Sequence, residues 1–224
     1  MARVTGAGAD GPGVRQSGGR GASGKRPGGR RLQRQQEIVD IAARLFARQG
    51  YSATGIAELC EAVGMGRGAL YHYIGCKEYL LLRIHDRVMA EVLQSARDIE
   101  DLQAPASERL RMLRMLGIEL MRIITQYPDH VWVFLHEWRV LRGQEAADFR
   151  AKRHRYEATV ERILREGVER GEFEIGDVRL AVRAWLGLHN YTYQWFQGSG
   201  RLNAFQIANQ YYDMFVHRIG AKRT

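Results

Sequence analysis

Ile56–Lys77 reads IAELCEAVGMGRGALYHYIGCK, and its spacing is that of a helix-turn-helix. Ile56, Leu59, Cys60 and Val63 recur at three- and four-residue intervals, which gives a short helix one apolar face. Gly64 follows where a left-handed residue would close that helix, a conformation glycine takes without a Cβ clash. Arg67 to Tyr73 then offers a second short helix, too polar on one side to be only core. Packed on a third helix, such a pair presents one helix to the DNA major groove.

The third helix lies just upstream. Ile38, Ile41, Ala42, Leu45 and Phe46 form the core-facing stripe of a helix over Gln33–Gln49, which Gly50 ends. Tyr51 and Thr54 bridge to the helix-turn-helix, with Thr54 placed as the N-cap of the helix that begins near Ile56. Upstream again, residues 1–30 are Gly, Ala, Ser and Arg with almost no bulky apolar group, and they read as a disordered basic arm. Arg3, Arg15, Arg20, Lys25, Arg26, Arg30, Arg31 and Arg34 face the single acid Asp10, so most of the net charge of +9 sits in the first 34 residues. An arm of this kind adds non-specific phosphate contacts rather than sequence reading.

Downstream, a fourth helix is expected over Lys77–Leu102, and Pro105 restarts the chain. Leu110, Leu113, Met115, Leu116, Leu120, Met121 and Ile124 mark a helix that stops before Pro128. Asp129 caps the next, which closes at Gly143, and Glu145–Glu169 forms a long helix stopped at Gly171. Asp177 caps a helix with two apolar stripes: Val178, Ala181, Trp185, Leu188, Thr192 and Trp195, then Val182, Leu186, His189, Tyr193 and Phe196. After Gly198–Gly200, Phe205, Ala208, Tyr212, Phe215 and Ile219 repeat at helical spacing. A monomer covers one such face, and the surplus predicts a four-helix homodimer contact through Trp185, Leu188, Thr192, Phe205, Ala208, Tyr212 and Phe215. The fold class is therefore all-α with about nine helices: an arm over 1–30, a DNA-binding domain over 31–78 and a larger domain over 79–224.

The run ARLFARQGYSATGIAELCEAVGMGRGALYHYIGCKEYLL, Ala43–Leu81, resembles the N-terminal domain of TetR-family (tetracycline-repressor-like) transcriptional regulators. The likeness rests on Phe46, Gly50, Tyr51, Thr54, Gly64, Gly68, Leu70, Tyr71, Tyr73 and the Lys77-Glu78 pair at their spacing. Three positions depart from the family pattern: Gly66 where Ser or Thr opens the recognition helix, Ile74 in place of phenylalanine, and Gly75-Cys76 before the lysine. The resemblance implies a dimer that reads a near-palindromic operator in double-stranded DNA and is released by a small-molecule effector. At the matching positions Arg67 would reach guanine O6 and N7, and Gly68 and Ala69 would let the helix approach the base edges. Thr54, Tyr71, His72 and Lys77 would hold phosphates, while Tyr73 packs in the core.

The segments HEWRVL, His136–Leu141, and LHNYTYQWFQGSGRL, Leu188–Leu202, are similar to the TetR-like subgroup that responds to acyl-CoA thioesters of lipid or sterol-ring catabolism. This implies an apolar tunnel drawn from Met112, Met115, Met121, Trp132, Phe134 and Trp138. Arg139, Arg142, Arg153 or Arg162 would meet the phosphates, and His136, His189, Asn190 and Trp195 are further ligand-site residues. The same residues also read as ordinary helical core, and a multidrug- or xenobiotic-sensing regulator is the alternative effector class. An architectural DNA binder with no ligand is a third reading, and it leaves the aromatic-rich C-terminal domain without a purpose.

Nothing in the sequence supports catalysis, since no nucleophile sits with a base and no glycine-rich loop follows a strand. Cys60 and Cys76 lack metal-ligand spacing, and His72 has no companion, so neither metal nor cofactor is expected. No apolar run reaches bilayer length and no apolar signal segment opens the chain, so a cytoplasmic protein without membrane contact is the expectation.

Overall fold

The computed structural model describes residues 27–100, 109–172 and 174–219. Among them lie nine α-helices and no strand: α1 (Pro27–Gln49), α2 (Ile56–Val63), α3 (Arg67–Ile74), α4 (Lys77–Glu100), α5 (Arg109–Gln126), α6 (Pro128–His136), α7 (Gly143–Glu169), α8 (Val178–Asn190) and α9 (Ala204–Ile219). Short 3-10 turns extend α6 through Glu137–Val140 and α8 through Tyr191–Gln194. The first helix starts at Pro27 rather than Gln33, so residues 27–30 belong to α1. The rest of the basic arm, Pro105 and the expected end of the fourth helix at Leu102 lie outside the described residues.

Local chemistry sets the boundaries around the helix-turn-helix. Gly55, not Thr54, caps α2: the Glu58 carboxylate reaches back to the Gly55 N–H at 2.9 Å. Gly64 closes α2 at φ 69°, with Met65 N–H donating to the Cys60 carbonyl and Gly64 N–H to that of Glu61, the paired bonds of a Schellman ending. Between α3 and α4 stand only Gly75 and Cys76. Gly75 takes φ 69° and ψ −60°, and Cys76 N–H donates to the Ile74 carbonyl at 2.7 Å, which makes a γ-turn.

Two apolar cores meet along α4. Ile38, Ala42, Phe46, Leu59 and Leu70 are fully buried in the head, and Leu80, Leu81 and Ile84 from the start of α4 complete that core. Val88 to Ile99 of the same helix belong to the second core with Leu113, Leu116, Met121, Ile163 and Trp185. Val133, Leu141 and Phe149 of the larger domain are buried in the head core, so the two regions share packing.

The C-terminal half departs from the sequence reading in three places. Pro128 occupies the first turn of α6, where its missing N–H costs nothing, and Asp129 is not the cap. The helix expected to run on to Gly143 breaks after His136, and Gly143, at φ 52°, opens α7 instead. Asp177 does cap α8, accepting the Leu180 N–H at 3.0 Å.

The third departure concerns the association face. Trp185, Thr192, Ala208 and Phe215 are buried inside the chain and do not form an outward face, while Leu188 and Tyr212 are half-buried. Only Phe205 of the expected set is exposed, at 56%. The outward apolar groups are Leu180, Tyr191, Trp195, Phe205 and Met214. On α8 the exposed stripe thus sits one residue away from the expected one.

Candidate functional site

Leu70 and Ile74, one turn apart, anchor α3 in the head core, and this turns Arg67, Gly68, Ala69 and His72 outward. Tyr71 is half-buried at their edge. The Arg67 guanidinium lies 5.8 Å from the centre of the Tyr71 ring, one helical turn on, and makes no ion pair among the described residues. Gly66 opens the helix in extended backbone without a side-chain cap. No Cβ added at Gly66 or Gly68 would meet an atom within 4 Å, so this face is flat and open.

The back of the pair is held from α1. Arg34 Nη2 donates to the Val63 carbonyl at 2.9 Å, Gln35 Nε2 to the Tyr73 carbonyl at 2.8 Å and Arg31 Nη2 to the His72 carbonyl at 3.4 Å. Donors placed at the carbonyl ends of α2 and α3 satisfy groups that helix termini leave unpaired, and the cations also favour the negative ends of the dipoles. A charge run read as a solvated tail hid this role, although the Arg31-x-x-Arg34-Gln35 spacing on one helix face was its signal.

Two residues expected at phosphates point inward instead. Thr54 is fully buried; its hydroxyl donates to the Gly50 carbonyl at 2.8 Å and accepts from Gln49 at 3.2 Å. Lys77 Nζ donates to the Tyr51 carbonyl at 2.6 Å and lies 4.2 Å from the centre of the Tyr51 ring. Desolvation lowers its pKa despite Glu78, Glu137 and Glu58 nearby.

Tyr51 is consequently a hub. Its carbonyl takes Lys77, and its ring meets Phe46 edge-on at 5.1 Å. Its N–H donates to Glu137 Oε1 at 3.0 Å. Burial first, and then Glu78, push the phenol pKa up. Glu137 stands in the turn after α6, so the helix-turn-helix connection is tied to the larger domain. A second tie runs through Asp40 of α1: Arg87 of α4 bonds it at 2.8 Å, and His130 Nε2 of α6 lies 3.1 Å away, off the line of a hydrogen bond.

The other face of α6 walls an apolar cavity of about 50 Å³. Val88 and Met89 of α4, Ile123 of α5, Phe134 of α6, Tyr156 of α7 and Leu186 of α8 are among its lining. Arg153, Glu157, Leu186 and Asn190 are shared with an outer groove of about 650 Å³ between α7 and α8, which also presents His154, Arg179 and Arg183.

Of the residues expected to bind a ligand, Asn190, Phe134 and Arg153 line this space, and the others do not. His136 stacks on Trp132 at 4.4 Å and meets the Tyr193 hydroxyl at 3.0 Å. Arg139 lies 4.8 Å over Trp138, which packs beside the head core, and Arg142 donates to the Arg139 and Leu141 carbonyls. Arg162 is engaged by Glu100 and Glu166. Trp195 is exposed beyond α8, away from the cavity. His189 is buried against Gly117: its Nδ1 meets the Trp185 carbonyl at 2.8 Å, its Nε2 has no partner among the described residues, and burial drops its pKa to about 4. A Cβ on Gly117 would stand 2.8 Å from that Nε2, so glycine makes the room for the ring. Sequence reasoning missed Arg179 and Arg183, which only the packing of α8 on α7 brings to the mouth of the cavity.

Among the described residues no group of three or more His, Cys, Asp or Glu can hold a metal ion, and no helix is long and apolar enough to cross a membrane. Residues 38–84 match the family "Bacterial regulatory proteins, tetR family", and residues 103–219 match "Tetracyclin repressor-like, C-terminal domain". The transcriptional repressor KstR2 of Mycobacterium tuberculosis is 27% identical over 180 residues, covering 80% of this chain and 88% of that protein. PfmR, a TetR-family regulator from Thermus thermophilus, superposes with a TM-score of 0.73 at 30% identity, over 83% of this chain and 99% of the other. AibR, solved with isovaleryl coenzyme A and operator DNA, superposes with a TM-score of 0.71 at 28% identity, over 82% of this chain and 98% of the other. An outward-facing recognition helix on a buttressed head, joined to a cavity-bearing helical body and matched along both halves, makes this chain a member of the TetR family of bacterial transcriptional regulators.

Proposed function

We propose that the protein is a ligand-responsive repressor that binds a near-palindromic operator as a homodimer and releases it when an acyl-CoA thioester binds. Arg67 reads a base pair from the N-terminal end of α3, with Gly68 and Ala69 giving close approach, and Tyr71 and His72 hold phosphates. Leu180 and Tyr191, on one side of α8 and its extension, supply with Met214 the exposed apolar groups through which two copies pair. Two heads then meet half-sites about one DNA turn, roughly 34–36 Å, apart. The protein works where the DNA is, in the cytoplasm.

One observation carries this reading: α6 walls the cavity on one side and grips the head on the other. Phe134 lines the cavity, while His130 faces Asp40 and the turn after α6 places Glu137 on the Tyr51 N–H. At about 50 Å³ the cavity is far smaller than the roughly 300–1,000 Å³ of ordinary ligand sites, so an entering acyl group must displace a wall. Displacing α6 pulls on both ties to the head. The outer groove suits the rest of the ligand, because Arg183 has no ion pair among the described residues and Arg153 and Arg179 can exchange Glu157 and Glu161 for phosphate groups. AibR, similar in fold and solved with isovaleryl coenzyme A and operator DNA, supports a coenzyme A thioester as the class of effector.

The test starts by selecting an operator from random duplexes and following the complex by fluorescence anisotropy. Isovaleryl-CoA, or a longer or ring-bearing thioester, should dissociate it, while free acid and free CoA leave it intact. A complex indifferent to every thioester overturns the effector assignment.

A further inference from the structure

The geometry points to a second small-molecule site, between α4 and α7, that takes a small organic ammonium ion. His85 of α4 is only 3% exposed, yet neither ring nitrogen has a hydrogen-bond partner among the described residues. Its ring meets the edges of Phe149 at 4.9 Å and Phe134 at 5.7 Å, neither of which offers a donor or an acceptor of ordinary strength. Burial pulls its pKa down to about 4, so at neutral pH the imidazole carries one N–H and one lone pair. Leaving such groups unmatched is costly, which makes a polar guest favourable beside them.

His85 faces a cavity of about 180 Å³, separate from the one under α6 and divided from it by Met89, which lines both. Leu82, Leu141 and Phe149 form apolar walls. The polar side carries Asp86, Glu145 and Asp148 against the single cation Lys152. Lys152 is already engaged by Asp86 at 2.5 Å, and Asp148 accepts from Gln144 at 2.7 Å. Glu145 has no ion pair among the described residues.

This charge pattern selects the guest. Three carboxylates around one neutralised ammonium repel a phosphate or a carboxylate ligand. The same side chains do not gather closely enough to hold a metal ion. A compact cation with an apolar body fits both halves: its N–H groups donate to Glu145 and Asp148 and, as it parts α4 from α7, to the now enclosed His85 lone pair, and its hydrocarbon lies on Leu82, Leu141 and Phe149. A guest here wedges α4, the helix that begins just past the recognition helix, against α7.

The test uses the DNA-free full chain with 13C-labelled histidine rings, so its outcome is independent of operator release and of thioesters. The His85 signal is assigned by its loss in His85→Leu. Benzylamine is the probe, with benzyl alcohol and benzoate as neutral and anionic controls. Benzylamine should shift the His85 ring signal saturably, and Glu145→Gln with Asp148→Asn, both at exposed positions, should weaken that binding at least about tenfold. Three results overturn the proposal: no shift with the amine, which leaves the cavity to solvent; an equal shift with benzyl alcohol; or undiminished binding to the doubly substituted chain.

Discussion

Glu137 accepts the main-chain N–H of Tyr51 at 3.0 Å across 86 positions of sequence, and this one bond joins the body of the protein to the hinge of its DNA-reading pair. The carboxylate arrives from the turn that ends α6, and Tyr51 passes the constraint to Lys77 at the start of α4 through its carbonyl. A charge-assisted bond of this kind is worth about 1.5–3 kcal/mol, enough to matter in a transmission chain. Glu137→Ala should therefore leave operator affinity in the absence of effector largely intact and shrink the effector's influence on it. Coupling in regulators of this type is about 5–150-fold, and the ratio of operator Kd values with and without isovaleryl-CoA should fall towards one. An unchanged ratio would assign the coupling to His130 and Asp40 instead.

Arg67→Ala should cost about 1–3 kcal/mol of operator binding and relax the preference at one base pair per half-site. Because Arg67 is exposed and bears no structural bond, the melting temperature should stay where it was. Anisotropy on operators substituted at each position reads the first effect and thermal unfolding the second.

Lys77→Ala separates a structural lysine from a phosphate-binding one. With its ammonium bonded to the Tyr51 carbonyl, removal should cost about 1–2 kcal/mol of stability, a fall of roughly 2–8 °C in Tm. The slope of log Kd against log salt should not change. A slope reduced by about one unit would return Lys77 to the DNA backbone.

Acid should destabilise the fold before it reaches the carboxylates. His85 and His189 both have folded pKa values of about 4 against 6.5 for the free ring, through burial. Below pH 6.5 the unfolded chain takes up protons that the folded chain refuses, so stability is complete above that pH and drains away down to about 4. Each ring contributes roughly 3 kcal/mol to the loss. Urea unfolding at several pH values should show this decline, and His85→Leu should flatten it.

Association should depend on the outward stripe. Leu180→Glu with Met214→Glu places charge on exposed apolar positions and should give a folded monomer by sedimentation, with its helical signal intact. Trp185→Ala instead opens the core and should cost about 3–5 kcal/mol without selecting for monomers. A dimer that survives the glutamates would place the contact elsewhere.

What can be read from the sequence is mostly local. Gly64, Gly171 and Asp177 end or begin helices through bonds spanning a few residues, and all three are legible in the order of residues alone. The inward turn of Lys77 depends on a carbonyl 26 residues earlier, and the grip of Arg34 and Gln35 on the recognition pair spans 29 and 38 residues. On α8 the stripe through Trp185 and the stripe through His189 are both apolar and both have buried members, whereas Leu180 and Tyr191, which belong to neither, face outward. Packing against α5, where Gly117 makes room for His189 and Trp185, buries residues of both stripes, and hydrophobic spacing alone does not show this. Trp138, Arg139 and Arg142 lie away from the cavity for a related reason: they follow the break after His136, and Trp138 packs beside the head core.

The γ-turn at Gly75 gives α4 the mechanics of a lever. A two-residue joint leaves α3 almost no freedom of its own, so the recognition helix travels with the end of a 24-residue rod. At 1.5 Å per residue such a rod is roughly 36 Å long, and a tilt of about 5° sweeps one end through roughly 3 Å. Adjacent base pairs lie about 3.4 Å apart. A swing too small to disturb either core therefore shifts each head by nearly one step along the duplex, and two mirrored swings put a pair of heads out of register with a palindrome they otherwise fit.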